Sequence, residues 1–228
     1  MKHHHRTSLL VLALLAGGQA MADTPPAPPP PVAVPGAAPG ANLSTEEVTV
    51  EGAVRQLLIN PYGEIDGLML NDRQIIKFPP HMSATLAQNF SVGTPVKAVG
   101  FRESETALRG SAIVNQQTGN IIVERPPQPG QAAPLPPHLR TAQLQNLQVE
   151  GKVQAVLSGP AGDTNGVVLE DGSIVRFAPM ALNQPVAIGS YLAASGVGTR
   201  NSYGVAIEAL RMGDSAQSLQ AVGAPPRP

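Results

Sequence analysis

"VEGAVRQLLINPYGEIDGLMLNDRQIIKFPPH" (50–81) and "VEGKVQAVLSGPAGDTNGVVLEDGSIVRFAPM" (149–180) align without a gap at a constant offset of 99 positions. Val50, Glu51, Gly52, Val54, Leu58, Pro61, Gly63, Gly67, Leu70, Asp72, Ile75, Phe78 and Pro80 recur identically in the second stretch. Farther on, a three-residue deletion brings Gly93 onto Gly189, Ala98 onto Ala194 and Gly100 onto Gly196. So many turn and apolar residues in register mark an internal duplication, and reading one copy reads both.

The copy starting at Val48 alternates apolar and polar residues to Leu58, the period of a half-buried strand. Gly52 and Gly151 inside this strand predict a bulge or sharp bend, which lets one strand serve two sheets. Asn60-Pro61-Tyr62-Gly63 is a turn by chemistry, with Pro presetting φ and Gly accepting positive φ. Ile65–Leu70 reads as a second strand. Asn71-Asp72, or Asp171-Gly172 in the other copy, reads as a tight hairpin of type I′. Gln74–Phe78 is a third strand. The period then changes: Met82, Leu86 and Phe90 fall at i, i+4 and i+8 between Pro79-Pro80 and Gly93, a short amphipathic helix with its start and stop signals. Thr94–Phe101 and Leu108–Asn115 are strands four and five, and "NQQTGNIIV" (115–123) adds a return strand in the first copy only.

Three strands, a helix and two more strands in about 70 residues is the order of the OB-fold, a five-stranded Greek-key barrel. The expected fold class is therefore all-β, with one short helix per repeat, as two tandem five-stranded OB-fold-like β-barrels. The pattern V-E-G-x-V, P-x-G-x-x-x-G, then L, D and F-x-P also resembles small exported OB-fold-like proteins of proteobacteria, here duplicated. That resemblance spans both repeats and rests on turn and core residues, so it implies a fold and carries no catalytic residues.

The start of the chain, "MKHHHRTSLLVLALLAGGQAMADT", has a basic front, a short apolar run and a small-residue site at Ala20-Met21-Ala22. This is the pattern of a cleaved secretory signal peptide, with a periplasmic destination. The expected organisation is a signal peptide over 1–22, a Pro/Ala-rich disordered linker over 23–45, barrel one over 46–124, a Pro-rich linker over 125–143, barrel two over 144–213 and a disordered tail over 214–228. The linkers follow from composition, since "TPPAPPPPVAVPGAAPGA" (24–41) and "RPPQPGQAAPLPPH" (125–138) favour extended, solvated backbone.

The chain has no cysteine, which excludes disulfides, thiol chemistry and Cys-ligated metal. Its formal net charge of −1 becomes more negative once Lys2 and Arg6 leave with the signal, and only 3% of residues are aromatic. Neither property suits a nucleic-acid binder, which needs a basic face and stacking platforms. G-x-S-x-G, a phosphate loop and a D-x-D-x-D-G loop are all missing. Glu51, Glu64, Asp66, Glu150, Asp163, Glu170 and Asp171 cluster around turns and read as solvated hairpin charges.

Two sets of residues stand out as candidate sites. His81, Met82 and Met180 offer soft imidazole and thioether donors, the set that suits Cu(I) or Ag(I). Lys77, Arg176 and Tyr62 are binding-face candidates. Lys77 and Arg176 are matched in the third strand, where alternation turns Phe78 and Phe177 inward and the cations outward. The expectation is a monomeric, non-enzymatic binding module of the periplasm or envelope with no cofactor, its partner an envelope protein, ligand or polymer. A soft-metal carrier is the first alternative. Single-stranded nucleic-acid binding, by analogy with other OB-folds, is the second.

Overall fold

The computed structural model describes residues 46–126, 144–179 and 186–222. The signal peptide, the first Pro-rich tract, residues 127–143 of the second and Met180 lie outside the described residues. In the first repeat the strands are β1 (Glu47–Ile59), β2 (Ile65–Leu70), β3 (Ile75–Lys77), β4 (Pro95–Arg102), β5 (Ala107–Asn115) and β6 (Ile121–Val123). A 3-10 turn, Pro80–Met82, leads into helix α1 (Ser83–Asn89) between β3 and β4. The second repeat supplies β7 (Gln145–Ser158), β8 (Thr164–Leu169), β9 (Ile174–Arg176), β10 (Tyr191–Asn201), β11 (Gly204–Gly213) and β12 (Gln220–Ala221).

Each repeat closes on itself. β1 pairs with β4 through Glu47–Ala53 and with β2 from Val54 onward, so one long strand serves both sides of the barrel. β3 joins β2 antiparallel and β5 parallel, and β5 joins β4, giving the closed order β1-β2-β3-β5-β4. The second repeat repeats this circuit as β7-β8-β9-β11-β10. These are two closed five-stranded barrels of OB-fold topology, as the strand and helix order predicts. The 3-10 turn, helix α1 and the residue after it bury Met82, Leu86 and Phe90 against the barrel, the stripe that the periodicity predicts. The matching segment of the second repeat falls partly in 180–185, outside the described residues.

Three local expectations are corrected. The bulge in the long strand lies at Arg55 and Gln154: Val54 opposes Leu70 and Gln56 opposes Met69, which leaves Arg55 over, and Gln154 is left over in the same way. The hairpins after β2 and β8 are three-residue loops with positive φ only at the third loop residue, Arg73 (φ 70°) and Gly172 (φ 85°). They pair Leu70 with Gln74 and Leu169 with Ser173, the pattern of a type I turn followed by a left-handed residue. Finally, the return strand is present in both repeats. β12 pairs with β11 at Arg211 and Met212, the positions matching Ala112 and Ile113 where β6 pairs with β5. It reaches that place after a longer excursion, through residues expected to be a disordered tail.

Gly67 and Gly166 recur because β3 and β9 pass too close for a side chain. A Cβ on Gly67 would lie 2.8 Å from the Ile76 carbonyl oxygen, and one on Gly166 would lie 2.7 Å from that of Val175.

The barrels are not separate beads. The apolar cluster filling barrel one continues through Ala155, Leu157, Val168, Ile174 and Ala206 of barrel two. These side chains sit on the outer face of their own barrel, whose interior is filled by Val153, Val167, Leu169, Val175, Phe177 and Ile207. β2 and β8 are therefore buried on both faces, which is why they read as apolar runs, "LML" and "VVL", rather than as strict alternation.

Candidate functional site

Matched elements of the two barrels face each other across this seam. Arg55 donates from Nη2 to Gln154 Oε1 at 2.9 Å, and these two residues are equivalent in the repeats. Gln154 Nε2 in turn lies 3.8 Å from Met69 Sδ. The loop between β1 and β2 meets the end of β10, with Thr199 Oγ1 donating to the Pro61 carbonyl at 2.8 Å and Asn201 Nδ2 to that of Gly63 at 3.0 Å. Gln56 Nε2 reaches the Gly172 carbonyl in the β8–β9 turn at 2.6 Å. OB-folds take oligomeric ligands on the second and third strands and on the loops after the first and fourth. Here those surfaces of each barrel are turned toward the other barrel.

A cavity of about 300 Å³ remains in the seam. Apolar side chains form much of its wall, among them Leu58, Ile75, Phe78, Ala107, Leu157 and Pro160. Its polar groups are Asp66, Asn165, Lys77, Arg176, Glu103, Arg109 and Ser158.

Asp66 and Asn165 are equivalent residues, and a second pair of bulges sets them there. Leu58 opposes Gly67 while Ile59 opposes Ile65, so Asp66 is the extra residue of β2. Leu157 opposes Gly166 while Ser158 opposes Thr164, so Asn165 is the extra residue of β8. A bulge breaks the alternation of a strand and re-aims one side chain. Both of these deliver a short acceptor to the cavity.

The charges are largely matched within the seam. Arg176 Nη2 bonds Asp66 Oδ2 at 2.9 Å across the barrels. Lys77 Nζ pairs with Glu103 and also donates to the Ser158 carbonyl of the other barrel at 2.8 Å. Burial raises the Asp66 carboxyl above its ordinary pKa, and the Arg176 guanidinium, a backbone hydrogen bond and Lys77 pull it back. Partial desolvation also raises the Glu208 carboxyl, again against the pull of Arg176. Arg109 is exposed at the rim, its guanidinium carbon 5.4 Å from the centre of the Phe101 ring.

Among the described residues three buried acceptors are left over, Gln74 Oε1 away from the cavity and two that line it. Asp66 Oδ1 and Asn165 Oδ1 are buried and have no hydrogen-bond partner. A buried polar atom left unsatisfied costs about 1–3 kcal/mol, so this matched pair needs an explanation beyond barrel packing.

Alternation puts Lys77 and Arg176 on the outer faces of their barrels, as the sequence implies. Those faces are covered, so the two cations lie part-buried in one cavity instead of in open solvent. Asp66 likewise departs from the reading of a solvated hairpin charge. Glu51 fits that reading, pairing with Lys97 at 2.8 Å with both side chains about half exposed. Tyr62 lies elsewhere on the seam, in a hollow with Asn60, Pro61, Pro80, Leu144, Val197 and Glu208.

The soft donors diverge. His81 Nε2 faces the Arg125 carbonyl oxygen at 2.8 Å, which makes that nitrogen the donor and takes up its place as a ligand. Met82, the next residue, is buried in the core. Met180 lies outside the described residues. Among the described residues, no three His, Asp or Glu side chains gather as a metal site, and no helix is long and apolar enough to cross a membrane.

Asn165, Glu103, Arg109 and the Arg55–Gln154 pair carry no motif that marks them in the sequence. One signal was available for Asn165: "IDGLML" and "TNGVVL" place a short polar acceptor at the same position of an otherwise apolar strand. Comparison of the chain with protein-family models, with curated proteins and with solved structures gave no match.

Proposed function

We propose that this chain is a non-enzymatic binding module, exported to the periplasm or envelope, whose two barrels act as one body and whose recognition site is the cavity between them. The observation that carries the reading is the pair of matched, unpartnered acceptors, Asp66 Oδ1 and Asn165 Oδ1, turned by matched bulges into a cavity with apolar walls. Pockets for small molecules combine mostly apolar lining with a few convergent polar groups. The leader pattern at the start of the chain supports the exported location. Covering of the usual OB ligand surfaces, together with a negative net charge, weighs against a single-stranded nucleic-acid ligand.

The test is photocrosslinking in cells, with the full chain carrying a diazirine side chain at Arg109 on the cavity rim, and with Val92, which is 71% exposed, as the control position. An adduct formed at position 109 and missing at position 92 supports the reading. Equal capture at both positions, or capture at position 92 alone, overturns it.

A further inference from the structure

The inter-barrel cavity also specifies what kind of molecule it holds, an inference that rests on the binding reading above. We infer that its ligand is a small uncharged molecule with an apolar body and hydrogen-bond donors at one end, such as a primary amide, those donors meeting Asp66 Oδ1 and Asn165 Oδ1.

Three observations on the seam lead there. The unsatisfied groups are both acceptors, so the ligand must bring N–H or O–H. The ionised groups already have partners, Asp66 with Arg176 and Lys77 with Glu103. Apart from Arg109 at the exposed rim these groups are paired, so a charged ligand at the acceptors would bring a further charge into a part-buried space, and burying an uncompensated charge is far more costly than burying a neutral dipole. The walls are Leu58, Ile75, Phe78, Ala107, Leu157 and Pro160, which suit a hydrocarbon body. Arg109 stands at the exposed rim against Phe101, outside the group that carries the acceptors.

Nothing in barrel folding requires acceptors here. Both residues close the strand through their backbone, the Asp66 carbonyl accepting from the Phe78 amide at 3.0 Å and the Asn165 carbonyl from the Phe177 amide at 3.1 Å. That bond is indifferent to the side chain. One oxygen of each side chain, Asp66 Oδ1 and Asn165 Oδ1, is thus left to serve something placed between the barrels.

A matched series of probes tests this on the full mature chain, followed by backbone amide shifts in nuclear magnetic resonance. Benzamide is neutral with two N–H donors, methyl benzoate is neutral with none, benzoate is an anion and benzamidine a cation. Benzamide is expected to shift the amides around Asp66, Phe78, Leu157 and Asn165. It should bind about five- to tenfold more tightly than methyl benzoate, the effect of roughly one unmade hydrogen bond. Asn165→Ala should shrink that preference, and the wild-type series decides the matter alone if this variant does not fold. Equal binding of methyl benzoate, or tighter binding of benzoate or benzamidine at the same amides, overturns the ligand class and leaves the cavity as a site. Shifts from none of the four, or only away from the cavity, overturn both, and leave water as the occupant.

Discussion

Arg55 and Gln154 hold the same place in their respective repeats and hydrogen-bond to each other, guanidinium nitrogen to amide oxygen, at 2.9 Å. Two residues related by the duplication meet only if they lie on the axis that relates the two copies. The pair therefore marks a pseudo-two-fold axis, and the chain behaves as a dimer of barrels joined in one polypeptide. Each partner reaches the axis because it is the extra residue of a bulge.

Removing one partner should be felt across the seam. Gln154 is buried, so Arg55→Ala leaves its amide oxygen without a donor, and the expected loss is about 1–3 kcal/mol. A double-mutant cycle with Gln154→Ala, read by urea unfolding, should give a coupling of at least about 0.5 kcal/mol. Additive single effects would place the two side chains apart in solution.

Cooperativity is the second expectation. Leu157 belongs to barrel two by sequence but packs within the apolar cluster that fills barrel one. Leu157→Ala should cost about 2–5 kcal/mol and move a single calorimetric transition, with calorimetric and van't Hoff enthalpies equal. Two resolved transitions, only one of them shifted, would show barrels that unfold independently.

The hairpin after β2 carries a correctable strain. Arg73 sits at φ 70° where the other repeat has Gly172 at φ 85°. The left-handed region costs a side-chain-bearing residue about 1 kcal/mol, part of which is returned by the greater freedom of glycine in the unfolded chain. Arg73→Gly should stabilise the protein by about 0.5 kcal/mol, seen as a higher urea midpoint with an unchanged slope.

Acidity should act in an unusual direction at Asp66. Its native pKa is raised above the ordinary carboxylate value, with burial as the leading cause. The folded state therefore binds this proton more readily than the unfolded state. The group's contribution to stability is present in full below the unfolded pKa and is lost as pH rises through the native one. Glu208 contributes in the same direction. Asp66→Asn, which copies the residue of the second repeat, should remove part of this fall. The comparison is of melting temperatures for both proteins from pH 4 to pH 7, and a steeper decline in the variant would contradict the assignment.

The barrels were legible in the sequence because their determinants are local. Turns at Pro61-Gly63, the Met82–Leu86–Phe90 stripe and paired apolar strands all announce themselves within a few residues, and the repeat states each of them twice. The docking of one barrel on the other was harder to read. Its signs are an apolar "LML" or "VVL" where alternation was expected, and a polar residue in each such strand. Period counting takes a bulge as noise, so Asp66 looked like a hairpin charge although its side chain is turned to the seam. The turn type is hidden for a related reason. Asp-Gly suits two different hairpins, and Arg73 at the matching position shows that only one residue adopts positive φ. The second return strand is hidden in the sequence because it arrives after a long polar excursion that composition reads as a tail.

The duplication has a consequence for what the cavity can become. Two identical barrels related by a true two-fold axis must place identical groups opposite each other: Arg55 would face a second Arg55, and every acidic residue near the axis would have an acidic twin. Joined in one chain, the copies are released from that identity. The axis can carry a donor against an acceptor, and the cavity can take a carboxylate from one copy and an amide from the other, with Arg109 on its rim where the matching position of the second copy is Glu208. A site that distinguishes one end of a molecule from the other is open to the fused pair and closed to the symmetric one.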